Sequence, residues 1–107
     1  MQYMNPATTA LTTVLMLTVI AIVGCGPPQA SPENRHLISS LRTALSAENS
    51  TWLTENEQIV EQRREHGKMT QEEYETFREI IDRAKAGAWD EAEQQAIRFQ
   101  EAQRTSP

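Results

Sequence analysis

Charge divides this chain into two unlike parts. Residues 1–32 carry no charged side chain, and all 25 of its Asp, Glu, Lys and Arg residues lie between Glu33 and Arg104. An uncharged apolar leader and a polar body do not share one core, so the folding problem belongs to the body alone. With 107 residues in all, there is room for one domain, and a core this small is only marginally stable. An enzyme with a deep cleft is excluded on size. Ten Lys and Arg against 15 Asp and Glu leave a net charge of −5, with no positive stripe to track nucleic acid. A single Cys excludes an internal disulfide framework.

The leader is apolar from Ala7 to Val23 apart from its threonines. Its strongest stretch, Val14–Val23, has one polar member, Thr18. That is the length of a signal-peptide core; a spanning helix needs about 20 mostly apolar residues. Ile22, Val23, Gly24 and Cys25 follow at once. These four residues resemble the lipobox of bacterial lipoproteins, an aliphatic residue, a small or aliphatic one, a small one and then Cys. The resemblance implies that the Cys25 thiol receives a diacylglycerol group and that the leader is cut before it. Acyl chains then hold the protein to the membrane, at about 0.8 kcal/mol per buried CH₂, and two or three chains anchor it stably. The leader departs from the pattern in having no Lys or Arg before its apolar core. Two other readings of this region are an uncleaved anchoring helix and a plain thiol.

Gly26-Pro27-Pro28-Gln29-Ala30 is too rich in Pro and Gly for regular structure. The expected organisation is a signal peptide over 1–24, a lipidated Cys and flexible tether over 25–32, and a helical domain over 33–107. The lipoprotein resemblance places the protein on a bacterial membrane, facing the periplasm or the exterior. Gly26, standing where that family uses Asp as an inner-membrane signal, favours the outer membrane.

From Ser31 onward nothing alternates with period two, and good helix formers dominate. The fold class predicted is all-α, a helical hairpin or a bundle of three to four helices. Ser31 caps a first helix with Pro32 and Glu33 in its first turn. Leu37, Ile38, Leu41, Ala44 and Leu45 form its apolar face. Asn49, Ser50 and Thr51 predict a break, because their side chains compete with helix backbone. The rival is one long helix, since Ile38, Leu41, Leu45, Trp52 and Ile59 keep heptad spacing across the gap. A second helix carries Trp52, Leu53, Ile59 and Val60 and ends at Gly67, a left-handed cap. Thr70 and Glu73 then make a capping box, with Met69 and Tyr74 as its hydrophobic staple. The third helix, about 71–86, puts Tyr74, Phe77, Ile80, Ile81 and Ala84 on one face. Gly87, Trp89, Asp90 and Glu93 repeat the same order of stop, apolar residue, cap and Glu, 20 residues further on. They start a fourth helix, about 91–103, with Ala92, Ala96 and Phe99 on one side.

Two short stretches resemble known helical motifs. Residues 65–74 are similar to a C-terminal helical motif of many bacterial proteins, which implies oligomerisation or protein contacts. Residues 84–92 are similar to the turn inside a tetratricopeptide repeat. Both motifs are also what helix capping alone produces.

Chemistry is sparse. His36 and His66 are the only histidines, and Glu33 with His36 is a lone Glu-x-x-His, where a di-iron bundle needs two plus two more Glu. No metal, cofactor or catalytic residue is predicted. The glutamates read as a solvated face, with Glu61–Arg64, Glu75–Arg78 and Glu79–Arg83 paired along their own helices. Trp52 and Trp89 are core anchors or, alternatively, an exposed patch for a partner or for the membrane interface. The function this supports is a lipid-anchored envelope protein, not an enzyme, whose helices dock or scaffold an unknown protein, or a second copy of the chain. The rival class is a periplasmic small-molecule or metal-binding sensor, or an enzyme accessory. A cavity above roughly 300 Å³ with convergent polar groups would favour it. A third possibility is a peptide that folds only on its partner.

Overall fold

A computed structural model describes residues 26–104, and it contains four helices: α1 (Pro32–Ser46), α2 (Ser50–Glu65), α3 (Gln71–Lys85) and α4 (Trp89–Arg104). The signal peptide, Ile22, Val23, Gly24 and Cys25 lie outside the described residues. None of the described helices is long and apolar enough to cross a membrane.

The chain breaks between α1 and α2, and the continuous-helix alternative does not form. Asn49 takes an extended backbone, and its side chain accepts a hydrogen bond from the Trp52 amide at 3.0 Å. Three connections of one design link the four helices. In each, two crossed amide bonds close the helix end: Asn49 N–H to Ala44 C=O with Glu48 to Leu45, Lys68 to Arg63 with Gly67 to Arg64, and Ala88 to Arg83 with Gly87 to Ala84. This geometry needs a left-handed residue at its centre. Gly67 (φ 69°) and Gly87 (φ 91°) supply it, and so does Glu48 (φ 48°), a residue that pays steric strain there. The last two connections differ in length. Thr70 caps α3 and accepts from the Glu73 amide at 3.1 Å, as its capping box predicts. Asp90 does not cap α4. That helix begins earlier, at Trp89, with the Ala92 amide bonded to the Ala88 carbonyl, so Asp90 is a first-turn carboxylate.

Such short connections force antiparallel neighbours. Asn34 meets Arg63 at one end of the α1–α2 pair, and the groove beside Ser40 and Thr43 meets Trp52 and Asn56 at the other. Arg64 meets Gln71 and Glu57 meets Arg78 between α2 and α3, and Gln95 joins Arg83 and Glu79 between α4 and α3. The ring closes because α4 also packs along α1. The result is an up-down-up-down four-helix bundle.

The core is the set of stripes read from the sequence. Leu37, Ile38, Leu41, Ala44 and Leu45 are all buried, as are Phe77, Ile80, Ile81 and Ala84, and Ala92, Ala96 and Phe99. Phe77 and Phe99 meet edge to face, with centroids 5.2 Å apart. Ala92 and Ala96, with no exposed surface, leave room for neighbouring backbones. Helix α2 is the exception: only Leu53, Asn56 and Val60 are buried on it.

The tether is not free along its whole length. Gln103 near the end of α4 accepts from the Ala30 amide at 2.8 Å and donates to the Pro28 carbonyl at 2.8 Å. Arg35 donates to the Ala30 carbonyl at 3.2 Å, and Ala30 is 5% exposed. Residues expected to hang loose are thus packed into the domain, because Gln103 and Arg35 satisfy polar groups of this extended backbone.

Candidate interaction surface

Each helix carries one buried polar side chain in register with its apolar stripe. Asn34 precedes Ile38 by four, Asn56 precedes Val60 by four, Glu73 precedes Phe77 by four, and Gln103 follows Phe99 by four. None was singled out for burial from sequence, although this phase is the signal that identifies them. Asn34 is the hub of one network. Its amide donates to the Lys68 carbonyl at 3.0 Å and to Glu73 at 2.5 Å, while Arg63 Nε donates to its carbonyl oxygen. The Glu73 carboxylate turns inward to Asn34, so only the Thr70 half of the capping box forms. These contacts tie α1 to the α2–α3 connection, and every polar atom that matters has its partner.

Asn56 differs. Its Nδ2 donates to the Trp52 carbonyl at 2.8 Å, but its buried Oδ1 has no partner. An orphaned buried acceptor costs about 1–3 kcal/mol. Asn56 borders a groove of about 330 Å³ between α1 and α2, lined also by Ser40, Thr43, Trp52 and Glu55. Trp52 is 45% exposed here. Ile59, seven residues on and so on the same side of α2, is 43% exposed. Trp89 is half-buried and packs against the core. The two tryptophans have therefore parted: Trp89 supports the fold, and Trp52 is available to solvent.

A wider groove, about 620 Å³, lies between α2 and α3 beside Glu57, Glu61, Tyr74 and Arg78. Its polar groups converge on one another. Arg78 reaches Glu57 at 2.7 Å, Asp82 at 2.6 Å and Glu61 at 3.4 Å; Lys85 reaches Glu57 at 3.1 Å; the Tyr74 hydroxyl donates to Glu61 at 2.9 Å. Arg64 stacks 4.0 Å from the Tyr74 ring centre. The hydrogen bond from Arg78, ahead of the Lys85 contacts, holds the Glu57 carboxyl below the usual glutamate range. This is a brace across the groove in which the charged groups are engaged with one another. It also corrects the charge pairing. Arg64, Arg78 and Arg83 do not pair with Glu61, Glu75 and Glu79 along their own helices; they reach Gln71, Glu57 and Gln95 across helix seams. Antiparallel packing brings those partners as near as the intrahelical ones.

Glu33 and His36 are both exposed on the first turns of α1. Among the described residues, no group of three or more His, Cys, Asp or Glu side chains is placed to hold a metal ion. No protein-family model matches the chain, and neither a curated protein nor a solved structure is significantly similar to it.

Proposed function

We propose that the chain is a lipid-anchored envelope protein of a bacterium whose helical bundle docks a protein partner. The Ile22-Val23-Gly24-Cys25 sequence supports the anchor. The single observation that carries the docking role is Trp52, a large aromatic left open to solvent beside Ile59 and the orphaned Asn56 carbonyl. Exposed aromatics of this kind supply much of the energy at protein interfaces. The charged groups of the larger α2–α3 groove are engaged with one another, which favours docking over a sensor or enzyme accessory.

Cells expressing the full chain are labelled with a palmitate analogue and the mature mass is measured. The expected product begins at Cys25 and carries lipid, and Cys25→Ser leaves an unlabelled precursor. A wild-type protein that carries no lipid removes the anchor. A pull-down from membranes with the acylated protein, set against Trp52→Ala, tests the docking role. Equal recovery of every bound protein by both forms removes Trp52 as the contact. Sedimentation of residues 26–107 across a wide concentration range tells a second copy of the chain from a different partner.

A further inference from the structure

The path of the tether says which way an anchored bundle would face. Gly26, Pro27 and Pro28 line a groove of about 480 Å³ between α3 and α4, together with Thr76, Arg83 and Arg98. Gln103 fixes the strand by its bonds to Pro28 and Ala30. Cys25 precedes Gly26 by a single peptide bond, about 3.8 Å between Cα atoms, so no free linker separates the lipidated residue from this groove. Two Pro residues stiffen what lies between. In the closed ring, the α3–α4 groove lies opposite the α1–α2 groove that holds Trp52. We infer that the acylated bundle lies on its side, with the α3–α4 face against the bilayer and the Trp52 face turned away. The inference rests on the proposed acylation of Cys25.

The arrangement gives the docked tether a purpose: a floppy linker would let the bundle tumble and hide Trp52 against lipid for part of the time, whereas a seated one keeps it open to the periplasm or the exterior.

Quenching by lipids with a nitroxide headgroup tests this. The acylated full chain is reconstituted in vesicles of phosphatidylethanolamine and phosphatidylglycerol. Trp89→Phe leaves Trp52 as the only reporter, and Trp52→Phe with Trp89→Phe and Arg98→Trp moves the reporter to the α3–α4 groove. Both reporters are tryptophans, so any intrinsic preference for the interface is shared. The Arg98→Trp form should lose most of its emission to the nitroxide lipid and the Trp52 form very little. Equal quenching, or stronger quenching of Trp52, overturns the orientation. Gln103→Ala, checked for unchanged helicity by circular dichroism, should shrink the contrast; a full contrast in that variant overturns the role given to the docked tether. Flotation separates the two levels. Wild-type protein that fails to float with the vesicles fails the anchor itself, whereas protein that floats with no contrast fails only the orientation.

Discussion

Asn34 has no exposed surface, yet its amide is fully used. Removing it strands the buried Glu73 carboxylate, which costs more than a neutral group would. Asn34→Leu is expected to cost about 3 kcal/mol in urea unfolding. Adding Glu73→Leu should recover part of that loss, because an apolar pair needs no partner. A double variant whose loss equals the sum of its singles would show that Asn34 does not serve Glu73. Glu48 is the opposite case, a residue in the wrong conformation. It takes φ 48° where the two matching connections have Gly. It also sets a negative charge near the negative end of α1. Glu48→Gly should stabilise the bundle by about 1 kcal/mol, a rise in Tm of roughly 4–8 °C for a domain of this size. No rise would mean that the side chain makes a compensating contact.

Among the elements, α2 is held least by its core. Leu53 and Val60 are its only buried apolar residues, and the seam with α3 relies on Glu57, Arg78 and Lys85. Native-state hydrogen exchange should therefore open α2 at lower free energy than α1 or α4. Uniform protection across the four helices would contradict this. The seam also makes stability depend on acid. The folded-state pKa of Glu57 is depressed, so its contribution is present above the ordinary glutamate pKa and is lost as pH falls through the depressed value. Glu57→Gln should flatten that part of the stability–pH profile. An unchanged profile in the variant would assign the acid loss to another carboxylate. The α1–α2 and α3–α4 connections show what an element end can do alone: each stops its helix within a turn by two crossed amide bonds.

For the whole molecule, the two tryptophans measure the separation of folding from docking. Trp89 packs on the core from the first turn of α4, so Trp89→Ala is expected to cost about 2 kcal/mol, below the range for a fully buried aromatic. Trp52→Ala should cost much less, since that ring is 45% exposed. Thermal melts of the two variants check the order. If Trp52→Ala proves the more destabilising, the ring is part of the fold and the docking surface must lie elsewhere. The ring of four antiparallel helices is what makes such a division available. It buries one face of each helix and leaves the seams outside, so one seam can carry the tether while the opposite one carries Trp52.

By itself, the sequence determined the helices, most of their ends and the apolar stripes of three of them. Those depend on interactions within a turn or so: Ser31, Asn49 and Thr70 each cap an amide three residues ahead, and Gly67 and Gly87 end helices by their own backbone freedom. The α1–α2 break is predicted from Asn49, but its left-handed residue is not, because Glu48 does the work of a glycine without looking like one. Tertiary structure alone decided where the polar residues went. Asn34 finds Glu73 39 residues away, and Gln103 finds Ala30 73 residues away. Such partners depend on how whole helices pack, which spacing along the chain does not encode. The same holds for the tether, whose prolines announce an extended strand and say nothing of the groove that receives it, and for Trp52, whose heptad spacing suits a core until α2 turns its narrow face inward.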